Sequence, residues 1–212
     1  MRRFAALAVV LGALASVTAA QAVTIGQTGE PNGSALVAGT EHIPGGYVVP
    51  FGGGTIVSLN TQSSSTCMHD PLGFLQGTYN LQVLRPLGGD QYLVLGDTGN
   101  KLDPCDGQLH SYPVNIPVQA GDILAVYAVT LWIGALNGGS HTFASIAEPA
   151  VGDTISVSTG PFTQTVDMSA TLVQPVPTTA SDCRNGGWMT LVDHNGNPFK
   201  NQGACIAFLN KQ

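Results

Sequence analysis

The clearest pattern in the chain is an alternation of apolar and polar side chains over residues 165–173. A period of two places Val166, Met168, Ala170 and Leu172 on one face of a β-strand. Residues 79–85 and 153–158 alternate in the same way. We therefore expect strands at all three places, with the four apolar side chains of residues 165–173 buried in a core.

Turn residues and prolines define further strands. Gly88, Gly89 and Asp90 separate two strand-like segments, residues 81–85 and 92–95, which predicts a β-hairpin. Residues 109–118 contain Pro113 and Pro117, which favours an edge or bulged strand because proline donates no N–H to a ladder.

Residues 123–133 are almost wholly apolar and long enough for a helix. They are rich in β-branched and aromatic residues, which favours a central strand covered on both faces. Trp132 lies in this run, and we expect it in the core.

Taken together, the pattern indicates roughly ten short strands separated by turns, without a helical period. It predicts an all-β fold over residues 23–173, a jelly-roll-like sandwich of two antiparallel sheets. The composition agrees, because charged residues make up only 9% of the chain while 27 Gly and 13 Pro punctuate it.

The first residues have the order of a secretory signal. Arg2 and Arg3 precede an apolar stretch over residues 4–17, and the small residues Ala20 and Ala22 follow. The alternative is an N-terminal membrane anchor, but the apolar stretch is shorter than the span of about 20 residues that a membrane requires. We expect residues 1–22 to be a signal peptide cleaved after Ala22, and the mature chain to be secreted without a membrane span.

The charge balance bears on partners. The chain has thirteen acidic and seven basic residues, and two of the basic residues lie in the predicted signal peptide. An acidic chain without a basic cluster repels phosphate backbones, so nucleic acid is excluded as a partner.

Four cysteines in an exported chain indicate two disulfides, and three pairings are possible. We favour Cys67 with Cys105 and Cys183 with Cys205, because each pair lies within one compositional segment. The rival is a zinc site, but no cysteine has a second cysteine two to four residues away.

The end of the chain differs in composition from the sandwich. Residues 174–182 contain two prolines and form a predicted linker, and residues 183–212 are too few for a core of their own without a disulfide. Asn201 is placed to cap a short helix that would carry Cys205 and Phe208.

This tail also carries a motif. Residues 183–188 read Cys-x-x-Gly-Gly-Trp and residues 199–206 read Phe-Lys-Asn-Gln-Gly-x-Cys-Ile. The pair of motifs resembles a short C-terminal module of secreted bacterial proteins of unassigned function. The chain departs from that module by a longer turn over residues 193–198. The resemblance implies secretion from a bacterium. It brings no known activity and no known catalytic residues.

The densest set of oxygen ligands lies in residues 97–106 and includes Asp97, Asp103 and Asp106. Calcium prefers several carboxylate and carbonyl oxygens on a loop, so this segment is a candidate calcium site. The alternative is a turn anchored by a disulfide, because the spacing is not that of an EF-hand and Lys101 lies within it. We expect no other cofactor.

Function is the least determined property. No local signature of a nucleophile, zinc protease helix or phosphate loop is present, which favours a non-catalytic binding module for a cell-surface glycan or protein. The alternatives are a polysaccharide hydrolase with dispersed carboxylates and a structural envelope component. Trp188 is a candidate for stacking on a sugar, or else it covers the tail disulfide. The candidate carboxylates are Glu30, Glu41, Asp70, Asp90, Asp97, Asp103, Asp106 and Glu148.

Overall fold

A computed structural model describes residues 20–30, 39–63, 65, 77–128, 135–157 and 162–212. The strands are β1 (Gln21–Gln27), β2 (Thr40–Pro44), β3 (Gly54–Gln62), β4 (Thr78–Gly88), β5 (Gln91–Asp97), β6 (Lys101–Leu102), β7 (Leu109–Val118), β8 (Ile123–Ala128), β9 (Ala135–Ser145), β10 (Thr154–Ser156), β11 (Phe162–Val166) and β12 (Met168–Gln174). A 3₁₀ turn (Gly187–Met189) and helix α1 (Gln202–Leu209) follow.

The strands form two antiparallel sheets, which confirms the predicted fold class. The smaller sheet has the order β1-β12-β3-β7, and the larger has the order β10-β5-β4-β8-β2-β9-β11, with β6 paired to β4. Strand β7 lies at an edge of the smaller sheet, as its prolines predict, and the β4-β5 hairpin turns at the predicted glycines.

The main core lies between the two sheets. Ile56, Leu59 and Leu172 of the smaller sheet pack in one cluster with Leu81 and Leu124 of the larger sheet. All six residues of β8 are buried, which confirms a central strand covered on both faces over Ile123–Ala128. Trp132 lies outside the described residues. Among the described residues, no helix is long and apolar enough to cross a membrane.

The alternating segment 165–173 differs from its prediction in one respect. Val166, Met168, Ala170 and Leu172 are all buried, as expected. The segment is two strands, however, because the chain passes from the larger sheet to the smaller one at Asp167. Both strands face the same core, so the alternation continues across the crossing.

The outer face of the larger sheet carries a second, smaller core. Ile43, Leu84, Ala125 and Ile155 belong to this cluster. Residues 146–150 run close to this face, where the Pro149 carbonyl accepts a hydrogen bond from Gln82 Nε2 at 3.4 Å. The larger sheet is therefore covered on both sides.

Candidate functional site

The C-terminal module, residues 183–212, docks on one end of the sandwich. The Val192 amide donates to the Pro175 carbonyl at 3.1 Å, and the Val192 side chain is fully buried. A Cβ atom at Gly52 would lie 2.9 Å from Val192 Cγ1, so the glycine permits a close approach. The Gln174 side-chain amide nitrogen donates to the Phe51 carbonyl at 2.8 Å, which joins the end of β12 to the loop that contains Gly52.

The module is held internally by the bonds that its sequence predicts. Cys183 and Cys205 form a disulfide. Asn201 Oδ1 accepts a hydrogen bond from the Ala204 amide at 2.8 Å and caps helix α1, which confirms the predicted cap. Phe208 packs against His194 and Phe199, with ring centroids 4.8 Å and 5.4 Å away.

The connecting segment is fixed by Asp182. One carboxylate oxygen of Asp182 accepts from the Thr178 amide at 2.9 Å, the Thr178 hydroxyl at 3.0 Å and the Thr179 amide at 2.8 Å. These hydrogen bonds, the Thr178 amide first, lower the pKa of Asp182. Val176 is buried. The segment after β12 is thus built into the junction between sandwich and module.

A cleft of about 440 Å³ opens at this junction. We call it the junction cleft. Its walls come from three parts of the chain, and its lining residues are Ala20, Gly54, Thr55, Val173, Gln174, Pro175, Val176, Thr178, Asp182, Gly187, Thr190 and Leu191.

The lining of the junction cleft is nearly uncharged. Hydroxyl, amide and backbone groups alternate with apolar side chains, and among the described lining residues only Asp182 carries a charge. One oxygen of that carboxylate already accepts three hydrogen bonds, from Thr178 and Thr179. Volumes of about 300–1,000 Å³ with a few polar groups are typical of small-ligand sites. The cleft therefore suits a neutral, hydroxyl-rich ligand.

Trp188, the candidate for sugar stacking, lies beside the cleft in sequence but does not line it. Its neighbour Gly187 is a lining residue, and a Cβ atom at Gly187 would clash with the Asp182 carbonyl oxygen. The Trp188 side chain is half-buried. Its role in stacking stays a prediction.

The three aspartates of the candidate calcium loop each serve a separate local contact. Asp97 accepts from the Gly99 amide at 3.0 Å, and Asp106 pairs with His110 Nε2 at 2.9 Å. Asp103 is buried and accepts from the Ser63 hydroxyl at 2.7 Å. Among the residues that the structure describes, no three His, Cys, Asp or Glu side chains are grouped as a metal site requires. Calcium binding in this loop stays a prediction.

The nearby Cys105 is disulfide-bonded. Its predicted partner, Cys67, lies outside the described residues, as does the candidate carboxylate Asp70. The pairing of Cys67 with Cys105 therefore stays a prediction.

Other candidate carboxylates come together on the outer face of the larger sheet. The Asn80 side-chain amide donates to Asp97 Oδ2 at 3.2 Å and to Glu148 Oε1 at 3.3 Å. Glu41 lies on the same face, since it pairs in register with Tyr127, which in turn pairs with Asn80. Glu41 and Asn80 thus lie on either side of β8.

The sequence did not predict that the carboxyl groups of Glu41 and Asp167 are buried. Both oxygens of Glu41 and one oxygen of Asp167 are buried without a hydrogen-bond partner. Burial raises the pKa of Glu41 to about 8 and that of Asp167 to about 7. No local signal marks Glu41, because β8 and β9, which flank β2, are distant in sequence.

The contact between Gly52 and Val192 also could not be predicted from the sequence, because the two residues are far apart along the chain. The junction cleft that results from docking contains none of the residues singled out as candidate sites. No protein-family model matches the chain, and no curated protein sequence matches it.

Proposed function

We propose that this chain is a secreted, non-catalytic binding protein that holds an uncharged stretch of a cell-surface glycan in the junction cleft. The observation that carries the proposal is the composition of the cleft. Its walls offer hydroxyl and backbone groups beside apolar surface, and one oxygen of its single carboxylate already accepts three hydrogen bonds. Sugars present the same mixture of hydroxyl groups and apolar C–H faces.

Two further features support the proposal. A disulfide between Cys183 and Cys205 is typical of chains that fold in an oxidising compartment. Ala20 is a lining residue that falls within the predicted signal peptide, so cleavage after Ala22 would leave the cleft more open at that wall. The exported protein would then present the cleft to large, chain-like ligands.

The test uses Thr55, which lies on the outer face of β3 and lines the cleft. Thr55→Trp fills the cleft with a residue that a strand tolerates well. The matched control is Ser111→Trp, on the same sheet face but outside the cleft, where Ser111 pairs with Asn60.

The exported protein and both variants are incubated with purified insoluble bacterial cell-wall polysaccharide and with an array of neutral oligosaccharides. We expect the unmodified protein and Ser111→Trp to bind and Thr55→Trp to lose at least tenfold in affinity. Equal binding by Thr55→Trp, or no binding to any neutral glycan, would overturn the proposal. Release of sugar fragments would indicate a hydrolase, and association with cells without glycan binding would indicate a structural envelope component.

A further inference from the structure

Helix α1 is apolar but only partly covered by the rest of the described chain. Residues 204–209 are all apolar, yet Cys205 is the one buried residue of the helix. Ile206, Phe208 and Leu209 are half-buried, and Ala207 is exposed. A helix that is apolar all round is normally enclosed by other parts of a protein. The exposed side of α1 is therefore a candidate interaction surface.

The charges on the module are opposite in sign to those on the sandwich. Residues 183–212 contain Arg184, Lys200 and Lys211 against a single carboxylate, a formal charge of +2. Residues 23–173 contain two basic residues against eleven carboxylates, a formal charge of −9. The three basic side chains of the module form no ion pair with a described residue.

The sandwich carries a groove whose chemistry is complementary to this helix. The groove has a volume of about 410 Å³, and its lining residues are Ile146, Ala147, Glu148, Pro149, Asp153, Thr154, Ile155 and Ser156. It combines apolar walls with two carboxylates. We call it the acidic groove.

Neither carboxylate of the acidic groove is neutralised by a described cation. Glu148 accepts from the uncharged side-chain amides of Asn80 and Asn100, at 3.3 Å and 3.0 Å. Asp153 accepts from the Ala150 amide at 2.9 Å. Val151, next to the groove, is 55% exposed. The groove therefore offers negative charge and apolar surface to the same partner.

We propose that helix α1 of one copy of this chain docks in the acidic groove of a second copy. Phe208 and Leu209 supply the apolar contact, and Lys211, which follows the helix, lies close to Glu148 and Asp153. The contact is head to tail, so a pair of copies keeps one free helix on one copy and one free groove on the other, and assembly continues unless a ring closes. This inference is independent of the proposed glycan binding.

The test is a charge exchange followed by sedimentation. Lys211→Glu places a negative charge just after the helix, opposite the acidic groove. Glu148→Lys gives the groove a positive charge opposite Lys211. Each variant alone should remain monomeric where the unmodified protein assembles. An equal mixture of the two should assemble, because each altered surface then meets an oppositely charged one. Asp106→Asn, a charge change outside the groove, should assemble like the unmodified protein.

Assembly should also weaken as salt is raised from about 0.02 to 0.5 M, because exposed charges are screened. Glu148→Gln retains a hydrogen-bond acceptor, so it provides a second variant if Glu148→Lys fails to fold, and it should weaken assembly. A monomer at every concentration, assembly by either charge-reversed variant alone, or a monomeric mixture of folded variants would overturn the proposal.

Discussion

At the scale of single residues, the most consequential side chain is Glu41. It is fully buried in β2 without a hydrogen-bond partner for either carboxylate oxygen. Burial without compensation disfavours the charged form, which raises the pKa from 4.5 to about 8. The folded protein therefore holds Glu41 protonated at neutral pH, whereas the unfolded chain holds it ionised.

The consequence is a loss of stability with rising pH. Because the folded pKa lies above the unfolded one, the stabilisation is complete below pH 4.5 and is lost as the pH approaches about 8. Glu41→Gln should flatten this dependence and raise the free energy of unfolding at pH 8 relative to the unmodified protein. One proton corresponds to a slope of up to about 1.4 kcal/mol per pH unit. Urea unfolding of both proteins at pH 5 and pH 8 measures how the free energy of unfolding changes with pH.

The control for this prediction is Glu30→Gln. Glu30 is exposed, and its hydrogen bonds with Ser65 lower its pKa. It therefore titrates below the pH range in which Glu41 affects stability. Asp167, with a pKa raised by burial to about 7, leaves a residual slope of the same sign in Glu41→Gln. An unchanged pH dependence in Glu41→Gln would show that Glu41 is ionised in the folded state.

At the scale of elements, the disulfide and helix α1 stabilise the C-terminal module. The Cys183–Cys205 bond spans a sequence separation of 22, and a loop of that size corresponds to about 3 kcal/mol in the chain-entropy model. Cys183→Ser should therefore loosen residues 183–212 while the two sheets remain folded. Hydrogen exchange should rise in the module and stay low in β8. Loss of protection in β8 would contradict this local role.

The elements also show what sequence patterns can and cannot predict. The burial of Val166, Met168, Ala170 and Leu172 was predictable, because it follows from local spacing and residue type. The same holds for the edge position of β7 and the Asn201 cap. The crossing at Asp167 was not, because strands in different sheets that share one core have the same alternation. The contact between Gly52 and Val192, and hence the junction cleft, depends on tertiary packing that leaves no local signature.

At the scale of the whole molecule, docking of the module can be tested at Gly52. Gly52 and Gly46 have φ values of +89° and +85°, but a Cβ at Gly46 meets nothing within 4 Å. Alanine at either position costs backbone strain of about 1–2 kcal/mol. The new Cβ of Gly52→Ala also meets Val192. The free energy of unfolding of Gly52→Ala, measured by thermal unfolding, should therefore fall by roughly 1–3 kcal/mol more than that of Gly46→Ala. Equal losses for Gly52→Ala and Gly46→Ala would mean that the module does not press on Gly52.

The most direct test of the proposed glycan binding is nuclear magnetic resonance of the isotope-labelled protein without residues 1–22, titrated with soluble neutral oligosaccharides of bacterial cell-wall polysaccharide. Binding in the junction cleft should shift the backbone amides of Thr55, Gln174 and Thr190, and Thr55→Trp should abolish the shifts. Shifts confined to the neighbourhood of Asn80 and Glu148, or no shifts at millimolar oligosaccharide, would contradict the account.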